Sequence, residues 1–159
     1  MHADARRWVA NFATDEPITV IEIGSRNVNG SVQDLFPHAT WTGIDREAGP
    51  MVDQVTDAMD YTPDMPADLV VCCEVLEHTE NWRQIIRRSR EWIKPGGALI
   101  VTCAGLGREP HSCDGGRLRD GEYYRNLDPS DLRSELTAAG YRWRYVRQWQ
   151  TDLQSFAVR

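Results

Sequence analysis

The chain has 159 residues, enough for one domain whose core needs no disulfide or structural metal. Its 18 Lys and Arg residues stand against 24 Asp and Glu residues, and the net charge of -6 argues against nucleic acid or an anionic membrane as a partner. No apolar run is long enough to span a bilayer, and the first residues lack the apolar stretch of a signal peptide. We therefore expect one cytoplasmic domain over residues 1–159.

Five short apolar runs predict the strands of a parallel sheet. None contains proline inside it, and the strongest are apolar on both faces, as strands covered by helices on both sides must be. Before them, Trp8, Val9 and Phe12 predict an N-terminal helix. The predicted strands are Ile18–Gly24, the run TWTGID ending at Asp45, a weaker run around Val52–Val55, a run from Ala67, and Gly97–Ala104.

Two further helices are predicted from apolar spacing and from their end signals. The first is the segment ENWRQIIRRSREWI, which the residues KPGG at Lys94–Gly97 bring to an end. Its apolar positions are Trp82, Ile85, Ile86, Trp92 and Ile93. The second begins at Asp128, which suits an N-cap followed by Pro129, and it closes at Gly140.

The C-terminal part of the chain changes its period. Aromatic residues recur at every second position in YRWRYVRQW, which predicts a strand with unlike faces, and SFAVR is its predicted antiparallel partner. Alternating arginine and aromatic residues also occur on nucleic-acid surfaces, but a half-buried strand is the preferred interpretation. The long polar interval Gly105–Asn126 remains, and a loop of that length is usually functional or disordered. We expect it to form a substrate lid, with the N-terminal helix as the other wall, because no other segment is long enough and free of the core.

The four cysteines predict neither disulfides nor a metal site. Cys72 and Cys73 are adjacent, so on a strand their side chains point in opposite directions and do not present two thiolates to one metal. The other two are Cys103 and Cys113, and the spacing of a zinc site is missing. We expect reduced cysteines and no bound metal.

Parallel strands that alternate with helices and end in an antiparallel pair predict a three-layer α/β/α fold with a doubly wound, Rossmann-like sheet. Ligands of such sheets bind beyond the carboxyl ends of the strands, where the strand order reverses. The residues predicted at this rim are Gly24, Asp45, Asp57, Glu74 and Ala104. The loop after the first strand runs from Gly24 to Gly30, and we expect a helix to start at Asn29 or Gly30, with amides able to hold an anionic group.

A dinucleotide is the first candidate ligand for this rim. Asp45 follows Gly24 by 21 positions, a suitable reach for a ribose hydroxyl. However, the pattern G-x-G-x-x-G is absent, because Arg26 stands where the second glycine lets a pyrophosphate approach. The P-loop pattern is absent as well, since the sequence contains no G-K-[ST]. The loop therefore favours a ligand with less phosphate.

The segments VIEIGSRNVNGS, WTGIDRE, VTDAMD, ADLVVCCEVLEH and EWIKPGGALIVTCAG occur in the order and spacing of a known family. In this respect the chain resembles class I S-adenosylmethionine-dependent methyltransferases of the compact type 11 kind, over roughly residues 18–104. The resemblance implies the seven-stranded methyltransferase fold, mostly parallel with a C-terminal antiparallel hairpin. It also implies S-adenosyl-L-methionine as the cofactor, and transfer of its methyl group to an oxygen or nitrogen atom of a small molecule.

Carried onto this sequence, the resemblance assigns the cofactor contacts residue by residue. Glu22 and Gly24 would line the methionyl and sulfonium side, together with Ser25 and Asn29 of the following loop. Asp45 would accept from both ribose hydroxyls, with Arg46 beyond it. The adenine ring would meet Asp57 at its amino group and the backbone amide of Ala58, while Glu74 would face the amino-acid end of the cofactor or the substrate.

Each of these residues has a structural alternative. Asp45 and Asp57 can serve as loop caps, although a carboxylate directly after a buried strand favours use in a site. Glu74, Glu77 and His78 can simply begin a helix, with His78 orienting the loop.

Methyl transfer to a hydroxyl or a protonated amine needs a base. The first candidate is His111 on the predicted lid, then His78, with Asp114, Tyr123 and Tyr124 behind them. Two other functional classes stay open at this stage. One is a non-catalytic S-adenosylmethionine-binding domain that acts as a sensor or partner subunit, and the other is a dinucleotide or nucleotide-sugar enzyme of similar topology.

Overall fold

Seven strands form one mixed sheet in the computed structural model, which describes residues 2–159. The strands are β1 (Thr19–Ile23), β2 (Thr40–Asp45), β3 (Gln54–Val55), β4 (Ala67–Cys73), β5 (Ile93–Ala104), β6 (Trp143–Trp149) and β7 (Asp152–Val158). The α-helices are α1 (Ala3–Val9), α2 (Trp82–Trp92) and α3 (Pro129–Ala138). The spatial order is β3-β2-β1-β4-β5-β7-β6, in which β7 is antiparallel to both of its neighbours. The predicted fold class is therefore confirmed.

The order of the strands reverses between β1 and β4. Ile23 at the end of β1 lies beside Ile44 of β2 on one side and beside Cys72 of β4 on the other. The carboxyl ends of these three parallel strands consequently meet at one edge of the sheet, and the chain leaves in different directions after each strand. This is the place at which α/β sheets form a ligand crevice.

Helices cover both faces of the sheet. On one face, α2 buries Trp82, Ile85, Ile86 and Trp92 against the central strands, and α3 adds Leu132 and Leu136. On the other face, α1 packs Trp8 and Val9 against Val20, Val71 and Ile100. The N-cap of α3 is Asp128, whose Oδ1 accepts from the Ser130 amide at 2.7 Å, as predicted. Both amphipathic helices and the N-terminal helix lie where the apolar spacing predicted them.

Two element boundaries differ from the prediction. Ile93 was assigned to the helix, but it is the first residue of β5 and pairs with Ala67 at the start of β4. The segment KPGG thus lies within the strand, and a register irregularity between Ala67 and Leu69 absorbs it. Strand β7 begins at Asp152, not at SFAVR, so only Gln150 and Thr151 connect it to β6. Backbone pairing with β5 and β6 along all of β7 extends the strand beyond its apolar part.

The helix predicted to start at Asn29 or Gly30 does not form. The chain between β1 and β2 holds one short 3-10 turn, Gln33–Leu35, as its helical segment. Side chains satisfy the loop amides instead: Asn27 Oδ1 accepts from the Gly30 amide at 2.8 Å, and Ser31 Oγ accepts from the Gln33 amide at 3.1 Å. Such local bonds compete with helix formation. The expected anion site at a helix start is therefore wrong.

The aromatic stripe of β6 faces away from the core. Trp143 is 70% exposed, while the buried residue of this strand is Val146. Tyr145 stacks on Trp8 of α1, with ring centroids 5.8 Å apart, so the stripe is covered in part by the N-terminal helix. The alternation thus correctly predicted a strand with unlike faces, but its regularly spaced aromatic residues lie on the more exposed face.

Within residues 2–159, no helix combines the length and the apolar character that crossing a membrane requires.

Candidate functional site

A cavity of about 350 Å³ opens at the carboxyl ends of β1, β2 and β4. All nine residues assigned to the cofactor and the two first candidate bases line it, whereas Ala104 of the predicted rim and the reserve bases Asp114, Tyr123 and Tyr124 do not. The eleven lining residues are Glu22, Gly24, Ser25, Asn29, Asp45, Arg46, Asp57, Ala58, Glu74, His78 and His111. The topology thus gathers side chains from five separate segments around one space, while the individual roles of these residues stay predictions.

The turn after β1 forms one wall of the cavity and depends on glycine. Gly24 has a φ of +73°, and a Cβ atom at this position would lie 2.2 Å from Cγ2 of Val75. Both the left-handed backbone and the close approach of Val75 therefore exclude a larger residue. The amides of Gly24 and Ser25 donate to the carbonyl of Ile44 at 2.9 and 3.1 Å, which fixes the turn to the end of β2.

Asp45 and Asp57 each close a local turn while they line the cavity. The carboxylate of Asp45 accepts from the amides of Arg26 and Glu47, at 3.2 and 2.9 Å. Asp57 Oδ1 accepts from the Met59 amide at 2.8 Å. The cap and the site interpretations of these residues are therefore compatible, because backbone donors hold each carboxylate in a fixed orientation at the cavity wall. Fixed acceptors suit recognition of hydroxyl and amino groups.

Glu22 is the most enclosed of the assigned carboxylates on the cofactor side, with 5% of its surface exposed. Gln33 Nε2 donates to its Oε2 at 3.1 Å. Burial raises the pKa of Glu22 to about 7, and the hydrogen bond from Gln33 offsets this in part. A positive charge placed beside Glu22 would favour its ionised form.

Glu74 stands at the end of β4 in a left-handed conformation, with a φ of +58°. Its Oε2 lies 3.1 Å from His2 Nε2 and 3.7 Å from a guanidinium nitrogen of Arg108. Both cations also pair with Asp152 at the start of β7. Burial alone would raise the pKa of Glu74, but the hydrogen bond and charge of His2, together with Arg108, lower it. This four-residue network joins the N-terminal segment, β4, the lid and β7.

The segment Gly105–Asn126, predicted as a lid, supplies part of the cavity wall. Its residues at the wall are Arg108, His111, Ser112, Cys113 and Gly115. A second ion-pair network holds it: Arg26 of the loop after β1 pairs with Asp114, which also pairs with Arg119 at 2.9 Å. Asp114, named as a reserve base, is therefore held between two guanidinium groups, which lower its pKa by hydrogen bonding.

Three rings pack together where the segment after β4 meets the lid. His78 and His111 have ring centroids 5.1 Å apart and nearly perpendicular planes, and Tyr124 packs against both at 5.5 and 5.0 Å. Burial, and then the proximity of His111, lower the pKa of His78 to about 4. The His78 ring is therefore neutral at physiological pH and presents a lone pair.

Sequence reasoning missed three residues of this region. His2 and Arg108 reach Glu74 from positions far apart in the chain, and no local pattern could have indicated their meeting. Glu77 was treated as a possible helix start, yet it is fully buried, and its Oε1 accepts from the Ala104 amide at 3.0 Å. Burial, and then the charge of Glu74, raise the pKa of Glu77. Its position three residues after Glu74 was the available signal.

Replacing Glu22 with Gln should remove a pH-dependent cost to folding. Between the ordinary pKa of 4.5 and the folded value of about 7, the unfolded chain releases a proton that the folded chain keeps. Wild-type stability therefore falls as pH rises through this window, by about 2–3 kcal/mol from pH 5 to 8. Urea denaturation at pH 5 and at pH 8 measures the free energy of unfolding of both proteins. The difference between Glu22→Gln and wild type should be larger at pH 8 by this amount, in favour of the variant. The exposed Glu16→Gln is the control, and an equal difference at both pH values would contradict the assignment.

Comparison with solved structures identifies the fold. DhpI in complex with SAH matches with a TM-score of 0.72 and 20% identity, over 97% of this chain and 83% of DhpI. The 1,6-didemethyltoxoflavin-N1-methyltransferase of Burkholderia thailandensis was crystallised with 1,6-didemethyltoxoflavin and S-adenosylhomocysteine. It matches with a TM-score of 0.73 and 15% identity, over 97% of this chain and 77% of the methyltransferase. The N-methyltransferase NodS of Bradyrhizobium japonicum, in complex with S-adenosyl-L-homocysteine, matches with a TM-score of 0.67 and 19% identity, over 98% of this chain and 85% of NodS.

Among curated proteins, none matches the chain at a significant level. A family model described as a methyltransferase domain matches residues 1–146, which include the whole turn after β1, the strand-end carboxylates and the lid. This match agrees with the family that the sequence motifs resemble and with the seven-stranded fold. The chain therefore belongs to the methyltransferase-domain family.

Proposed function

We propose that the protein transfers the methyl group of S-adenosylmethionine to an oxygen or nitrogen atom of a small molecule in the cytoplasm. The observation that carries this proposal is the set of carboxylates from successive strand ends, Glu22, Asp45 and Asp57, around one cavity of about 350 Å³. Such a lining suits an adenosyl sulfonium compound, which offers hydroxyl, amino and cationic groups and no phosphate. The fold neighbours crystallised with S-adenosylhomocysteine (SAH), the demethylated form of the cofactor, support S-adenosylmethionine as the ligand.

In this proposal the cofactor lies across the strand ends from β1 to β3. Asp45 accepts from the ribose hydroxyls, with Arg46 at the outer edge, while Asp57 and the amide of Ala58 meet adenine. Glu22 lies on the methionyl and sulfonium side, where a buried carboxylate gains most from a neighbouring cation. The loop residues Gly24, Ser25 and Asn29 enclose the methionine part, and Glu74 faces its amino-acid end.

The chemistry requires little beyond placement. The sulfonium methyl group is already activated, so an acceptor held in line with the carbon–sulfur bond supplies much of the acceleration. The acceptor's lone pair forms the new bond to carbon, and the carbon–sulfur electron pair returns to sulfur. We assign His111 and His78 to the acceptor side, where they place the acceptor and assist the loss of its proton. Both rings line the cavity, unlike Tyr123 and Asp114.

A small acceptor fits the enclosure of the site. The lid forms part of the cavity wall and is held by two ion-pair networks, through Asp114 and through Arg108, which favours a compact acceptor. The net charge of -6 also disfavours a polyanionic acceptor. No specific observation favours the alternative of a non-catalytic S-adenosylmethionine-binding domain. The imidazole rings of His78 and His111 at the cavity favour an enzyme instead.

Asp45→Asn should weaken binding of S-adenosylhomocysteine at least about tenfold, because the carboxylate that accepts from both ribose hydroxyls loses its charge. The carboxylate accepts from the two loop amides through separate oxygens, and the asparagine oxygen keeps one of these bonds, so thermal unfolding of the variant should be compared with that of wild type. Isothermal titration calorimetry measures the change, and Asp60→Asn, an exposed carboxylate outside the cavity, is the matched control. Unchanged affinity in Asp45→Asn would reject the ribose assignment.

His111→Gln should lower the rate of methyl transfer by about 100-fold while S-adenosylhomocysteine affinity stays within twofold, since the lid ring is placed at the acceptor and not at the cofactor. Single-turnover assays with radiolabelled S-adenosylmethionine and metabolite pools measure the rate. The exposed His38→Gln controls for general effects of losing an imidazole. An equal loss of cofactor affinity and of rate would remove His111 from the acceptor side.

A further inference from the structure

Glu77, His78 and His111 bring three metal-ligating side chains together at the acceptor side of the cavity. One ligand atom from each lies within 4.8 Å of the other two. Glu77 is fully buried, and its Oε2 has no hydrogen-bond partner within residues 2–159, although its Oε1 is bound by the Ala104 amide. A buried carboxylate oxygen without a partner is costly and calls for an explanation, such as an ion that the site is built to hold.

The charges around Glu77 do not supply a counter-ion from the protein. In the described part of the chain, no arginine or lysine forms an ion pair with its carboxylate. The cation in its neighbourhood, Arg108, pairs with Asp152 and lies 3.7 Å from Glu74. Two carboxylates, Glu74 and Glu77, therefore share the neighbourhood of a guanidinium group that is already engaged elsewhere. A divalent cation beside Glu77 would supply the charge partner that the protein itself does not provide.

The histidine geometry also suits a metal. His111 Nδ1 lies 3.1 Å from the carbonyl oxygen of Glu109, and donation to this carbonyl places the free lone pair on Nε2. Metal-bound histidines are commonly oriented in this way through their second nitrogen. The nearly perpendicular packing of His78 and His111, with Tyr124 against both, restricts the motion of the rings.

We propose that Glu77, His78 and His111 bind one divalent cation, of the class of Zn²⁺, Co²⁺ or Mn²⁺, with its remaining positions open toward the cavity. One carboxylate and two imidazoles are a suitable ligand set for these ions. Ligand atoms about 2.0–2.2 Å from a common ion lie roughly 3–4 Å from one another. The three ligand atoms therefore need to approach one another by about one ångström to bind the same ion. His78 and His111 line the cavity while Glu77 lies behind them, which leaves the open positions on the acceptor side.

The other group of possible ligands does not carry the same inference. His2, Asp4 and Asp152 also lie within reach of one another. However, Arg108 already pairs with Asp152, and His2 pairs with both Glu74 and Asp152. A cation there would meet a guanidinium group at contact distance. The cluster around Glu77 has no such competitor.

This inference rests on the proposed methyl transfer and names its acceptor chemistry: an acceptor that binds the ion through a hydroxyl oxygen. Binding to the ion would lower the pKa of that hydroxyl, so its proton leaves to solvent; with the cation bound, His78 and His111 assist this loss as metal ligands and not as free bases. The oxygen then forms the bond to the methyl carbon, the carbon–sulfur bond breaks, and the electron pair stays on sulfur. The two histidines therefore act on the acceptor through the cation.

Titration of the full chain with Co²⁺ alone tests the site, because visible absorption reports both binding and ligand type. We expect one Co²⁺ per chain, with binding weakened at least about tenfold in His78→Gln and His111→Gln. His38→Gln, outside the cavity, should bind Co²⁺ as the wild type does. Cys113→Ser should also leave the spectrum unchanged, since the exposed thiol at the cavity is not a proposed ligand. Glu77→Gln, which removes the third proposed ligand, should weaken binding as well; if this variant fails to fold, the two histidine variants decide.

Titration of the same samples with S-adenosylhomocysteine separates this inference from the proposed function. Binding of S-adenosylhomocysteine without Co²⁺ binding would overturn the cation site and leave methyl transfer intact. Loss of the Co²⁺ spectrum in His38→Gln or Cys113→Ser, or equal binding by wild type and both cavity histidine variants, would also overturn it. Failure to bind S-adenosylhomocysteine in the wild type would reject the proposed function itself.

Discussion

The site depends on one topological constraint, the parallel pairing of β1 with β4 at the point where the strand order reverses. Because β1, β2 and β4 all end at this edge, the residues after each strand face a common space. The space carries carboxylates from several segments, and Glu22 among them is held with little access to water. A polar, partly cationic ligand without phosphate suits such a lining, and it would relieve the electrostatic cost of gathering these groups.

Charge pairing over long sequence distances then encloses the space. His2 and Arg108 converge on Glu74 and Asp152, while Arg26 holds the lid through Asp114. These contacts join the N-terminal segment, the lid and the start of β7 to the strand edge, so the lid is positioned by the same region that forms the cavity. The left-handed conformation of Glu74 lies at the centre of this arrangement and aims its carboxylate at both cations. Strain of this kind is found where a structure serves a site.

The sequence predicted the sheet, the three helices and the group of residues at the cavity, because hydrophobic period and strand ends are local properties. It failed where local signals competed. Asn27 and Ser31 satisfy amides that a helix after β1 would have used, and Ile93 continues an apolar stripe but pairs with Ala67 in the sheet. The meeting of distant residues at Glu74, and the burial of Glu77 behind the histidines, depend on tertiary packing that no short pattern encodes.

The most direct test of this account is calorimetric titration of the purified chain with S-adenosylmethionine and, separately, with NAD. A strand-end cavity lined by carboxylates, in a chain that lacks the G-x-G-x-x-G turn for a pyrophosphate, predicts one binding site per chain for S-adenosylmethionine and no binding of NAD. Binding of NAD with no heat from S-adenosylmethionine would contradict it.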